Sequence, residues 1–171
     1  MTWQTKIKIL KNALPERENL RFVFDYAKQG APEDFISDLR RQYPFVPESY
    51  VDLLRLTDGL QLDYFTIFGS GQSPFPSLSE ANHAWRRQLE ASKNLVVAED
   101  ASGSAFVLRD DAKIFLISTE APEEQATFVA WSFDDLLDEV FMGPRYLSLF
   151  PYGPRPDNDW LTFLLDQRWI V

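Results

Sequence analysis

Residues 44–71 read PFVPESYVDLLRLTDGLQLDYFTIFGSG, and this stretch predicts one helix, an abrupt stop and one strand. Pro47 suits the first helical position, where the N–H that proline lacks has no intrahelical partner. Four residues recur at helical spacing and predict the buried face: Tyr50, Leu53, Leu54 and Thr57. Gly59 is expected to end the helix, because glycine accepts a left-handed conformation without a steric penalty. After a short LQLD link, residues 64–68 are rich in the aromatic and β-branched residues typical of a buried strand.

The chain before this stretch predicts further helices. Residues 3–14 form a short helix with Trp3 and Ile7 inward, and Pro32 opens a second helix with acids in its first turn. The segment 16–29 fits two structures, because it carries a helical apolar stripe while residues 22, 24 and 26 alternate as in a strand. Its length favours the helix.

The chain after this stretch predicts a loop, a helix from Ser79 to about Ala91, and short strands at 95–98, 105–108, 114–117 and 127–131. The turn-forming sequences EDASGS and RDDAK join the first three strands and favour an antiparallel meander, and a loop leads to the last strand. Ser132 is expected to cap the next helix. A proline-rich link and a final helix, capped by Asp157 or Asn158, should follow and dock on the rest. We therefore predict a single α+β domain over residues 1–171, with an antiparallel sheet of about four to six strands flanked by helices.

The charge of the chain limits the classes of partner. The net charge is −9, and residues 111–171 hold eleven acids against four basic residues. A nucleic-acid partner is not expected, because phosphate binding needs a basic face. The acidity either serves solubility alone or attracts basic proteins. With no cysteine, no apolar run long enough for a membrane span and no signal-peptide pattern at the start, we expect a cytoplasmic protein without disulfides.

Residues that could carry catalysis are few. His83 is the single histidine and there is no cysteine, so neither a metal site nor a metal cofactor is expected. The pairs Glu99/Asp110 and Asp100/Asp111 could form a carboxylate dyad for acid–base catalysis, but turns and solvent explain these acids more simply. No glycine-rich phosphate loop is present. We predict no catalytic residues and no cofactor.

Three motifs in order resemble the SUKH superfamily, the Smi/Knr type of domain. The first is the helix, Asp-Gly and aromatic strand of residues 46–69, the second is the set of strands separated by DASG and DD, and the third is the W-S-F helix at 131–133. The residues that carry the first motif are Val46, Pro47, Tyr50, Leu53, Leu54, Asp58, Gly59, Phe65, Ile67, Phe68 and Gly69. Asp58 departs from the more usual Asn. The resemblance covers about residues 31–142 and leaves residues 143–171 as an extension.

The resemblance implies a binding protein without catalytic activity. SUKH domains commonly act as immunity proteins that neutralise a bacterial toxin, often a nuclease, by direct complex formation. The expected partner is a basic toxin domain, and the chain itself is expected to be a monomer or weak homodimer. The candidate contact residues are acids and one aromatic residue near turns: Asp58, Asp63, Tyr64, Glu99, Asp100 and Asp111. The alternatives are a regulatory scaffold for another protein, and a small-ligand binder or hydrolase with a carboxylate pocket.

Overall fold

The computed structural model describes residues 1–118, 126–150, 153 and 157–170. Seven strands among these residues form one antiparallel sheet in chain order. They are β1 (Phe24–Tyr26), β2 (Leu60–Leu62), β3 (Phe65–Ile67), β4 (Asn94–Asp100), β5 (Ala105–Arg109), β6 (Ile114–Ile117) and β7 (Thr127–Ala130). The helices are α1 (Trp3–Ala13), α2 (Glu33–Gln42), α3 (Glu48–Leu56), α4 (Leu78–Trp85), α5 (Phe133–Asp135) and α6 (Asp159–Asp166), and a π-helical segment (Leu136–Phe141) continues α5. The predicted α+β class is confirmed, with seven strands in place of four to six.

The additional strands come from two segments that were assigned differently. The LQLD link contains β2, and the segment 16–29 holds a 3-10 turn (Glu18–Phe22) and then β1 instead of the favoured helix. Phe24 pairs with Leu62 and Tyr26 with Leu60, so β1 and β2 form because each offers the other a hydrogen-bonding partner. The helical stripe in the segment is a local signal, and this long-range pairing overrides it.

The first predicted helices are confirmed with two corrections in α3: Pro47 is the extended cap residue, so the helix begins at Glu48, and the helix ends earlier than predicted. Tyr50, Leu53, Leu54 and Thr57 are all buried, as expected for the inward face. The helix ends at Leu56, before Gly59, because Thr57 is already extended and its hydroxyl donates to the carbonyls of Ala27 and Gly59. Gly59 still requires glycine, since its φ is +111°.

Helix α4 begins earlier and ends earlier than predicted. Ser77 rather than Ser79 is the cap, with its hydroxyl accepting from the Glu80 N–H, and the helix stops at Trp85 rather than near Ala91. The Asn82 side chain accepts from the N–H of Val96 and donates to its carbonyl. Beyond the end of β3, the Asn82 side chain therefore provides the hydrogen-bond partners that the backbone groups of Val96 in β4 would otherwise lack.

Helix α5 is capped as predicted, because Ser132 Oγ accepts from the Asp135 N–H. Helix α1 packs beside it, with Trp3 Nε1 donating to Asp134 at 2.9 Å. Lys6 is buried and donates to two carbonyls of this region, Asp138 O at 2.7 Å and Met142 O at 2.9 Å.

The core occupies both faces of the central strands, since the consecutive residues 105–108 of β5 are all buried, and aromatic rings from strands and helices meet on the face that carries Phe65 and Phe106. The Phe65 ring stacks on Phe141 with centroids 4.5 Å apart, and Phe106 meets Phe141 edge to face at 5.1 Å. Helix α6 covers this region, since Trp160 Nε1 donates to the Phe141 carbonyl at 3.0 Å. Asn158, one of the two expected caps, accepts from the Leu161 N–H.

Two predicted segments fall mostly in the gaps between the described ranges. They are the loop between β6 and β7 and the proline-rich link after Phe150. Within the described ranges, none of the helices combines the length and the apolar character needed to span a bilayer.

Candidate functional site

Two turns at one end of the sheet enclose a cleft. Phe65 at the start of β3 pairs with Asp100 at the end of β4, so the β2–β3 turn (residues 63–64) lies beside the β4–β5 turn (residues 101–104). We call the space between them the turn cleft. Its polar half is a cavity of about 440 Å³ on the sheet face that carries Thr66 and Glu99, and its apolar half is a cavity of about 260 Å³ on the face that carries Phe65 and Phe106.

Asp63 anchors the first turn. Its φ is +53°, and its buried carboxylate accepts from the Tyr146 hydroxyl, with the two oxygens 2.5 Å apart. Asn158 Nδ2 donates to that hydroxyl oxygen at 3.1 Å. Burial raises the pKa of the Asp63 carboxyl, and burial followed by the hydrogen bond to Asp63 raises the pKa of Tyr146, so the tyrosine keeps its proton. Asp63 therefore joins the turn to the C-terminal elements.

Asp100 shapes the second turn. Its Oδ1 accepts from the N–H groups of Ser102 at 2.8 Å and Ser104 at 2.9 Å, and from the Ser102 hydroxyl at 2.6 Å. Such a side-chain-to-backbone pattern is why Asp is frequent in turns. The second carboxylate oxygen, Oδ2, has no hydrogen-bond partner among the described residues and can accept from a bound group.

Tyr64 and Glu99 are the two predicted residues that are most available in the cleft. Tyr64 is 41% exposed at the tip of the turn. Glu99 is half-buried on the sheet face opposite Phe65 and Phe106, where Thr66 lies beside it in the register. Burial, and next the negative charge of Asp100, raises the pKa of Glu99. Within the described ranges the Glu99 carboxylate makes neither a hydrogen bond nor an ion pair.

The electrostatic character of the polar half follows from its lining. Among the described residues, three carboxyl groups line it, those of Asp63, Glu99 and Asp100, and none of the lining residues is Lys or Arg. No basic side chain within the described ranges therefore compensates this negative charge at the cavity. A cationic group that entered this half would pair with the Glu99 carboxylate and would not displace an existing ion pair.

The structure places the other two predicted residues elsewhere. Asp58 is buried at the opposite end of β2, where its two oxygens accept from the N–H and the hydroxyl of Ser70. Asp111 lies in the β5–β6 turn, also at the opposite end of the sheet, and pairs with Lys113 at 2.6 Å. The hydrogen bond from Lys113 lowers the pKa of Asp111. Four of the six predicted contact residues thus meet in the turn cleft.

The carboxylate dyads considered from the sequence do not form. Glu99 pairs across the sheet with Ala105 near the turn cleft, whereas Asp110 and Asp111 follow the far end of β5. His83 is exposed on α4. In the described part of the chain, no group of three or more His, Cys, Asp or Glu side chains is arranged to hold a metal ion.

The apolar half of the cleft was not predicted. Phe65 and Phe106 form its floor, and Leu116, Leu149 and Phe150 complete its walls. Phe150 stood next to the proline-rich link in the sequence, where no periodic pattern marked it as part of a site. Its contact with Tyr64, at a ring-centroid distance of 6.4 Å, depends on the tertiary fold.

Two comparisons of the sequence with known proteins find no match. No protein-family model matches the chain, and no curated protein is similar to it in sequence. The SUKH resemblance therefore rests on the sequence motifs alone.

Proposed function

We propose that this chain is a non-catalytic, SUKH-type immunity protein that neutralises a basic toxin domain by forming a direct complex with it. The observation that carries the proposal is the turn cleft, where three carboxyl groups meet beside an exposed tyrosine and none of the described residues that line the polar half is basic. The net charge of the whole chain, −9, also favours a basic partner.

The physical reason is electrostatic complementarity. A nuclease toxin must present a basic surface to the phosphates of its substrate. An acidic cleft that covers this surface attracts the toxin from a distance and occupies the groups that would bind nucleic acid. Tyr64 adds a rigid aromatic contact of the kind that often anchors protein interfaces.

A hydrolase or small-ligand binder is the second candidate. It is favoured by one observation, since burial raises the pKa of both Asp63 and Glu99 and both groups line the same cavity. Paired acids with raised pKa values are typical of acid–base sites. The geometry weighs against it, because the Asp63 carboxylate is committed to Tyr146.

The test is co-expression of the chain with the product of the adjacent open reading frame. Growth rescue together with a one-to-one complex on co-purification is the expected result. Absence of toxicity and of a complex would contradict the immunity role and would favour the regulatory scaffold. Rescue without a stable complex would instead favour an enzyme that acts on the toxin or its product.

A further inference from the structure

The two halves of the turn cleft share one wall. Tyr64, Asp100 and Ser102 border both the polar cavity and the apolar cavity. A group bound in one half therefore lies next to a group bound in the other. A single short segment of a partner can fill both halves with neighbouring side chains.

The apolar half has a rigid floor. Phe65 and Phe106 are 3% and 0% exposed and meet edge to face with ring centroids 5.6 Å apart, so they belong to the core. Phe150 contacts both Phe65 and Tyr64, at centroid distances of 6.4 Å in each case. The cavity of about 260 Å³ exceeds the roughly 150 Å³ that is known to hold benzene in an engineered apolar cavity. A leucine or aromatic side chain has room there.

The charges around the turn cleft determine which groups should flank the hydrophobic side chain of the partner. In the part of the chain that the structure describes, neither half is lined by Lys or Arg and Glu99 has no partner. A purely apolar partner would cover Glu99 without pairing it, which is unfavourable. A purely basic partner would leave the apolar half filled with water.

We infer that the turn cleft recognises a hydrophobic side chain flanked by Lys or Arg, with the hydrophobic side chain in the apolar half and the cation beside Glu99. This inference rests on the proposed function and adds the chemistry of the partner segment. The affinity comes mainly from the apolar half, and the carboxylates contribute the rate of encounter and the selection of basic sequences.

The test uses the isotope-labelled full chain and three synthetic peptides. Acetyl-Gly-Arg-Leu-Arg-Gly-amide carries both features, acetyl-Gly-Arg-Gly-Arg-Gly-amide lacks the hydrophobic side chain, and acetyl-Gly-Glu-Leu-Glu-Gly-amide reverses the charge. The first peptide should shift the amide resonances of Tyr64, Ser102 and Leu149. It should bind about tenfold or more tightly than the second, as expected for burial of one leucine side chain.

Two variants that each remove one negative charge distinguish binding in the turn cleft from a general attraction of the basic peptide to an acidic protein. Glu99→Gln should weaken binding of the first peptide by about two- to fivefold, whereas Asp111→Asn should leave it unchanged. Three results would overturn the inference: equal affinity for the first two peptides, equal affinity for the acidic peptide, or no shift at these amides up to the solubility limit of the peptide.

The outcome is separable from that of the proposed function. Peptide recognition in the cleft with no growth rescue would retain the inference and reject the immunity role. Growth rescue without any of the expected peptide shifts would retain the immunity role and reject the turn cleft as its recognition site.

Discussion

The Tyr146 hydroxyl offers the sharpest test of the network behind the turn cleft. Replacing Tyr146 with Phe removes the O–H that donates to the Asp63 carboxylate at 2.5 Å and accepts from Asn158 at 3.1 Å. Both Tyr146 and Asp63 are buried, so water cannot readily replace the lost bond. Hydrogen bonds to charged groups contribute about 1.5–3 kcal/mol, and we expect the free energy of unfolding to fall by about 2–3 kcal/mol.

Two other tyrosines provide matched controls for the same chemical change. Tyr50→Phe removes a hydroxyl that donates to the Phe68 carbonyl at 3.0 Å, a neutral bond worth about 1 kcal/mol. Tyr43→Phe removes a hydroxyl whose side-chain partner, Gln42 Nε2, is 3.5 Å away. This substitution should therefore change the free energy of unfolding by close to zero. Urea unfolding followed by circular dichroism gives all three values, with m unchanged.

The pH dependence of the Tyr146→Phe effect adds a second readout. The hydroxyl stabilises the charged form of Asp63, so the destabilisation should shrink as pH falls and Asp63 takes up a proton. An effect of Tyr146→Phe no larger than that of Tyr43→Phe, or one independent of pH, would refute the role assigned to the Asp63 network.

Further predictions concern buried charge, a glycine and the cleft itself. Lys6→Met should lower the free energy of unfolding by about 2 kcal/mol in urea titrations, because it breaks two hydrogen bonds to backbone carbonyls, one of them fully buried, while Lys8→Met at an exposed position should have little effect. Gly59→Ala should lower the thermal midpoint more than Gly103→Ala: both positions have positive φ, but only at Gly59 would the new Cβ lie 2.3 Å from a side-chain atom. Because burial raises the pKa of Glu99, the folded state binds more protons than the unfolded state above the ordinary pKa of 4.5, and stability should fall as pH rises through the raised value. Glu99→Gln should reduce this fall in calorimetry, and an unchanged pH profile would contradict the assignment.

Most of the helices could be predicted because their signals are local, although the bounds of α4 differ from the prediction. Ser132 and the acid three residues later are adjacent in sequence, and the expected cap forms as written. Strand β1 could not be predicted in the same way, because its three residues are held by pairing with β2, far along the chain. The end of α3 was misplaced for a similar reason, since Thr57 leaves the helix to bond the distant Ala27 carbonyl.

In the candidate site, too, the features with local signals could be predicted, and those that depend on distant residues could not. Turn-forming acids could be found from the sequence, and antiparallel pairing of β3 with β4 brings Tyr64, Glu99 and Asp100 together. Whether an acid faces solvent could not be predicted. Asp63 is buried by a tyrosine that lies 83 residues away in sequence.

The association rate of the chain with its proposed toxin partner, the product of the adjacent open reading frame, tests the central claim most directly. We would compare wild type with Glu99→Gln and Asp111→Asn, which remove one charge each from opposite ends of the sheet, at low and high salt. The account predicts slower association and a weaker salt dependence for Glu99→Gln alone. Equal rates for the two variants, or an association rate that does not change with salt, would contradict binding through the turn cleft.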